Sequence, residues 1–403
     1  MIEQIFEMLE NSEDELIAIR RELHKFPELS FEEVVTPKKI ATYLKDLDIE
    51  HRTEVGGRGV VGYIRGKKGG KTVALRADFD ALPIHEETGL PFASTVPGKM
   101  HACGHDGHTA ALLLVAKSLK QQEHQLLGDV VLIFQFAEEL APGGAISMIE
   151  DGCLKDVDAI FGAHLWTPLP YGEIGFREGA FMGAADRFEL TVKGRGGHGA
   201  SPHETVDSIT VATSIVQQLQ QIVSRNVDPL KSAVISIGSF HAGEAFNVIP
   251  DTAKIVGTVR TFEEGIQSFI IERMNQVVNG ICLAAGADYE FDYKKGYPTV
   301  VNSKTETEKL VQWSVSNLKN QKVIEIDPVM GGEDFAYYLK HVPGSFFFIG
   351  AGNESLGKTY PHHHPKFDFD ESALLVAAKL LATAAVHYLE DEKLVGENLV
   401  ERT

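Results

Sequence analysis

Between residues 187 and 294 the chain stops alternating helix with strand and reads strand, helix, strand, strand, helix, strand. Strand-like runs fall at 187–193, 233–240, 254–262 and 288–294, and helical periodicity falls at 206–224 and 267–285. That βαββαβ order is the ferredoxin-like unit, complete in itself. The flanking sequence has a different grammar. Helical stretches at 12–25 (ended by Pro27) and 36–47 precede short apolar runs at 59–64, 72–77, 129–136 and 158–163, with a nearly all-apolar helical run at 109–119. Runs like DVVLIFQF are typical of strands buried inside a parallel sheet. After residue 297 the pattern returns, with a helix at 307–318, a strand at 345–350 and a last helix at 372–389. The expected fold class is therefore α/β: one α/β domain built from 1–184 and 298–403, interrupted by a smaller ferredoxin-like domain at 185–297. A chain of 403 residues is long enough for two such domains. The charged tail after Glu390 is expected to be mobile.

A formal net charge of -19 argues against nucleic acid or an anionic membrane as the main partner. It leaves a small anionic substrate open, because one local basic residue can decide that. Three scattered cysteines, Cys103, Cys153 and Cys282, do not make a disulfide framework, so a reducing, cytoplasmic setting is expected. The acidic, amphipathic N-terminus lacks the pattern of a signal peptide, and no apolar run is expected to approach the length of a membrane span.

Chemistry concentrates at residues 100–108, MHACGHDGH, where one thiol and three imidazoles precede an apolar helical run. Thiolate and neutral imidazole bind borderline-soft divalent ions, and Cys103 and His105 are close enough to face one site. The spacing is neither the paired cysteines of a zinc ribbon nor the paired helical histidines of a zincin, so further ligands must come from distant segments. The bland alternative is a buried free cysteine beside histidines that start a helix. Asp78 and Asp80 follow one strand-like run, Glu138 and Glu139 a second, and His164 a third. Open α/β sheets bind ligands beyond the carboxyl ends of their strands. Singly, each has an ordinary reading: a glutamate pair is usually a solvated helix start, and a lone histidine a structural residue. Together they point to a metal site. One of His362, His363 and His364 is expected to complete it, the alternative being an exposed loop.

The chain resembles the dinuclear-metal amidohydrolases that include hippurate hydrolase, N-acyl-amino-acid amidohydrolases and auxin-conjugate hydrolases, within the aminoacylase and carboxypeptidase superfamily. The matches run nearly end to end: RRELHKFPELSFEE at 20–33, LRADFDALP at 75–83, MHACGHDGH, FAEE at 136–139, GAHLW at 162–166, GGHGASPH at 196–203, NVIPD at 247–251, GTVRTF at 257–262, GGEDF at 331–335 and HHPKFDFDE at 363–371. The resemblance implies a zinc-peptidase-like catalytic domain whose inserted domain serves as lid and dimerisation surface, and a homodimer or higher homo-oligomer.

It also implies roles. Cys103 would bridge two divalent ions, with His105 and His164 completing one and Glu139 and His363 the other. His363 is chosen because the family places this ligand two residues before the proline. The wider superfamily has aspartate at the position of Cys103 and a histidine ligand at that of Arg76, so the metal could be zinc or manganese. Asp78 would orient a ligand without binding metal. Glu138 resembles the general base that takes a proton from water and returns it to the departing amine. His198 would donate to the tetrahedral oxyanion, although by itself it reads as a turn imidazole without a task. Asn247 and Arg260 resemble the residues that grip the substrate α-carboxylate; Arg260's alternative is a surface strand position. The implied activity is hydrolysis of N-acyl amino acids. The rivals are a dipeptidase or carboxypeptidase, an N-acetyl-diaminopimelate deacetylase, and a catalytically silent metal or amino-acid binding protein. Binding needs ligands only; hydrolysis needs Glu138 as well.

Overall fold

The computed structural model describes residues 1–391, so the expectation for the charged tail falls almost wholly outside the described residues. The described chain divides into two compact units: Met1–Gly179, Val301–Asp327 and residues 334–391 form the first, Ala180–Val300 with Pro328–Glu333 the second. The sequence reading places 328–333 with the first.

The first unit is built on an eight-stranded sheet. Its spatial order is Glu50–Val55, Gly59–Ile64, Asp129–Gln135, Thr72–Asp78, Ala159–Pro170, Gly344–Gly352, Glu173–Phe176, Lys322–Glu325. Thr72–Asp78 runs parallel to both Asp129–Gln135 and Ala159–Pro170, and Gly344–Gly352 is parallel to Ala159–Pro170, so four central strands end on one side. Their residues are buried on both faces, which is why they read as continuous apolar runs without alternation.

The expectation that His164 follows its strand is corrected. Strand pairing continues to Pro170 because Gly344–Gly352 extends alongside it, with Phe348 opposite His164, so His164 lies inside the strand. The register that sets Arg76 opposite Gly162 nevertheless brings His164 level with Asp78 at the end of its neighbour. The expectation that no apolar run approaches the length of a membrane span is corrected as to length. Helix Ser372–Glu390 is long and apolar enough to cross a membrane by length and composition alone. Most of it is buried against the sheet and helix His105–Gln121, so its all-round apolar character is that of a core helix.

The second unit holds the four-stranded antiparallel sheet Ala233–Ala242, Thr252–Thr261, Ala184–Lys193, Asp288–Tyr297 in that spatial order, the arrangement of a ferredoxin-like unit. Helices Ser208–Gln221 and Glu264–Ala285 cover one face, burying Val211, Ile215, Leu219, Ile270, Met274 and Val278 against Phe188, Leu190 and Ile255. Asp207 caps the first helix by accepting from the backbone N–H groups of Ile209 and Thr210, and left-handed Gly286 ends the second.

Candidate metal centre and active site

Helix His105–Gln121 starts earlier than its apolar run suggests, and Gly104, at φ +94°, makes the turn that brings Cys103 and His105 to one place. Gly107 then lets the helix press against the strand carrying His164: a side chain there would meet Leu165 Cδ1 at 2.6 Å. His363, a non-glycine at φ +65°, is held by its backbone N–H donating to the carbonyl of Ala102, so the late histidine loop docks directly on the Cys103 segment.

These local devices bring all five expected ligands together. Ligand atoms of Cys103, His105 and His164 lie within 4.8 Å of one another, as do those of Cys103, Glu139 and His363, and the two sets share the thiol. Cys103 Sγ is 3.4 Å from His164 Nε2, and His363 Nε2 is 3.3 Å from Glu139 Oε1. The tautomers follow from the partners. His164 Nδ1 donates to the carbonyl of Leu165 and His105 Nδ1 to the carbonyl of Asp80, so in each neutral ring it is Nε2 that carries the lone pair. His105 Nε2 is buried without a hydrogen-bond partner, 3.8 Å from Asp78 Oδ2 and Glu139 Oε1 and 3.9 Å from Glu138 Oε2.

The donor chemistry fits divalent cations. Burial, and behind it the carboxylates of Glu139, Glu138 and Asp78, push the Cys103 thiol well above its usual range. Burial would lower His105, but Asp78 and Asp80 outweigh it and raise the imidazole to about 10. A thiol surrounded by carboxylates, with an orphaned imidazole nitrogen facing them, is a concentration of negative charge that a bound cation relieves. Glu138 also lies within 4.8 Å of the donor atoms of His105 and Glu139, so proximity alone does not separate base from ligand.

Neighbouring residues hold this centre in place. Asp78 accepts from Arg76 Nη1 at 2.6 Å and from His108 Nδ1 at 2.7 Å. Burial works against its ionised form, yet Arg76 and the histidines hold its carboxyl well below the usual range. His108 Nε2 accepts the N–H of Leu165, so both its ring nitrogens are engaged. The bonds to His105 come instead from Asp80, whose carbonyl and Oδ1 both meet Nδ1 while Oδ2 accepts from Ser30 Oγ and from the N–H of Glu139. Asp80 thus touches one expected ligand in each of the two donor sets. Its position two residues beyond Asp78 on extended chain was the available signal. His362 and His364 are occupied elsewhere: His362 stacks on Trp166 at 4.7 Å, and His364 stacks on Tyr360 while its Nδ1 accepts from the N–H of Lys366.

A layer further out, fully buried Arg20 donates to Asp106 Oδ2, Asp368 Oδ1 and Glu371 Oε1 at 2.9, 3.1 and 3.0 Å. His24 Nδ1 meets the same Asp106 oxygen at 2.8 Å. Asp106 follows His105, and Asp368 and Glu371 follow the His363 loop. One guanidinium therefore braces both sides of the donor set, with charge-assisted bonds offsetting its desolvation.

The remaining expected residues lie on the second unit. His198 pairs with Val248 in a two-residue antiparallel ladder, and Gly199 N–H donates to the carbonyl of Asn247, so His198 and Asn247 share one exposed tip. Ala200 N–H donates to His198 Nδ1, which places the proton of the neutral ring on Nε2. Arg260 is half-buried on strand Thr252–Thr261, and among the described residues no carboxylate forms an ion pair with it.

The chain matches peptidase family M20/M25/M40 over residues 74–387. It is 54% identical over 385 residues to YhaA of Bacillus subtilis, named as an amidohydrolase, covering 96% of this chain and 97% of that one. It is 42% identical to thermostable carboxypeptidase 1 of Saccharolobus solfataricus (96% and 99% covered) and 44% identical to N-acetylcysteine deacetylase of Bacillus subtilis (94% and 98%). The crystal structure of Bacillus subtilis YXEP, described as a dinuclear metal binding peptidase of the M20 family, superposes with a TM-score of 0.82 at 40% identity, covering 94% and 99%.

Proposed function

This chain belongs to peptidase family M20/M25/M40, a family of hydrolases, and from that premise we propose that it hydrolyses the amide bond of N-acyl-L-amino acids to a carboxylic acid and a free amino acid. The dinuclear-metal amidohydrolase resemblance and the mixed α/β fold expected from the sequence are both borne out. The reading of the site rests on one observation: two three-donor sets share Cys103, with a further carboxylate, Glu138, beside them. Two divalent ions, zinc or manganese, would be held by those sets, one by Cys103, His105 and His164 and the other by Cys103, Glu139 and His363. When bound, such ions lower the pKa of a water and polarise the substrate carbonyl. Glu138 takes the proton of the attacking water and delivers it to the amine as the C–N bond breaks. Asn247 and the guanidinium of Arg260 grip the α-carboxylate. The three unpaired thiols agree with a cytoplasmic setting.

The deacetylase relative favours an acyl amino acid and the carboxypeptidase relative a peptide. A panel of acetyl, benzoyl and longer acyl amino acids, set against dipeptides and N-acetyl-diaminopimelate, decides between them. Turnover confined to unblocked dipeptides would overturn the N-acyl reading, and no turnover of any amide would point to a silent binding protein.

His198 is proposed to stabilise the oxyanion from the partner subunit of a homodimer, a role consistent with an exposed ring whose Nε2 carries the proton. His198→Ala should cost about 10²- to 10³-fold in rate with metal content unchanged. Mixing it with Glu138→Gln subunits under partner exchange should recover activity above either parent. Demonstrated hybrids without recovery would mean a site built within one chain, or no catalytic task for His198.

A further inference from the structure

The motif at 20–33 supplies Arg20 and His24 to the layer behind the metal donors, but its last residue has no part in that layer. Glu33 is 1% exposed, and its carboxylate crosses to another segment: Oε1 accepts the backbone N–H of Ala137 at 2.9 Å. Ala137 sits at φ +54°, left-handed backbone that a residue with a Cβ keeps only when its surroundings enforce it. Two residues later the N–H of Glu139 donates to Asp80 Oδ2, also at 2.9 Å. Between those two anchored amides lies Glu138.

We propose that Glu33 is a positioning residue for proton transfer: with Asp80 it clamps the main chain on either side of Glu138 and so aims that carboxylate. The inference rests on the reading of Glu138 as the acid–base group. Three further observations support it. Glu33 Oε2 is buried with no hydrogen-bond partner, its nearest cation being Arg58 Nε at 3.9 Å. A half-satisfied buried carboxyl is a poor packing element, and an apolar side chain would fill the space at lower cost, so the acceptor itself is what the position supplies. The two segments also pack together, Phe31 meeting Phe136 edge to face at 5.9 Å, and Arg58 fixes the Glu33 main chain by donating to its carbonyl. Burial, with Asp80 adding to it, raises the Glu33 carboxyl to about 8, so glutamine is a close mimic of the group present at neutral pH.

The test compares full-length, metal-loaded Glu33→Gln, Glu33→Asp, Glu138→Gln and the Glu33→Asp/Glu138→Gln double variant. Glutamine keeps an acceptor for Ala137 N–H and should retain wild-type kcat. Aspartate withdraws the oxygen by one methylene and should lower kcat about 10- to 100-fold, as expected for a displaced catalytic group. KM, metal content by mass spectrometry and melting temperature should stay unchanged. In the Glu138→Gln background, Glu33→Asp should have no further effect, because a residue acting through another cannot act once that one is gone. An equal extra loss in the double variant, metal loss in step with activity, or full activity of Glu33→Asp would each overturn the proposal. If Glu138→Gln itself kept wild-type activity, the acid–base reading would fail first, and the two failures are thus distinguishable. Should Glu33→Asp not fold, Ser30→Ala tests the opposite clamp: it removes the hydroxyl donor to Asp80 and should lower kcat about threefold to tenfold at constant metal content. No change in kcat would then overturn it.

Discussion

Removal of divalent metal should abolish hydrolysis in this protein, and titrating zinc or manganese into the stripped protein should restore it. The expectation follows from the side chains themselves. The Cys103 thiol lies where burial and the carboxylates of Glu139, Glu138 and Asp78 oppose its ionisation, and His105 Nε2 faces those carboxylates without a hydrogen bond. Without a cation these groups have no arrangement that satisfies them all, so the stripped protein should also melt at a lower temperature than the loaded one. Activity measured against metal content should reach its plateau near two ions per chain. Full activity in protein shown to be metal-free would remove the basis of the functional reading, while a plateau at one ion would limit the assignment to a single donor set.

Glu138→Gln should leave metal stoichiometry intact and reduce kcat by roughly two to four orders of magnitude, the loss expected when an acid–base group disappears. The adjacent glutamates differ in their surroundings. Glu139 reaches His363 and shares a donor set with Cys103, whereas no donor set that contains Glu138 includes the thiol. An amide at position 138 is nearly isosteric but cannot accept a proton, so the variant separates chemistry from binding. Metal loss parallel to activity loss would instead make Glu138 a ligand, and the division of labour between the two residues would have to be reversed.

The inserted unit was legible because each of its strands and helices carries its own periodicity, so βαββαβ could be read without knowing any tertiary contact. The donors were legible as residue types, Cys103 and His105 by spacing, Glu139 and His164 by their place near strands. What a one-dimensional reading misses is what depends on register and rotamer. His164 was expected beyond its strand because nothing in DAIFGA shows that Gly344–Gly352 will extend the pairing to Pro170. The choice between Asp78 and Asp80 as partner of His105 turns on which carboxylate Arg76 and His108 engage. Strand Glu50–Val55, EHRTEV, is mostly polar and exposed and so carries no apolar signal; it forms by antiparallel pairing with Gly59–Ile64 at the sheet edge. Glu33 had no spacing relation to any ligand, and only the path of the chain past Ala137 gives it one.

The brace around Arg20 sets a timetable for the chain's synthesis. Its partners lie 86, 348 and 351 positions further along the sequence. Growing from the N-terminus, a nascent chain can pair the guanidinium with Asp106 early but must wait for Asp368 and Glu371 until nearly all of the polypeptide has been made. His363 arrives just before them. The second unit's ferredoxin-like core, by contrast, is encoded in one continuous stretch and can be completed while translation proceeds. With His363 as a proposed ligand, hydrolytic competence is expected to be the last property the polypeptide acquires, and a chain cut short after the inserted unit should be folded in part and chemically inert.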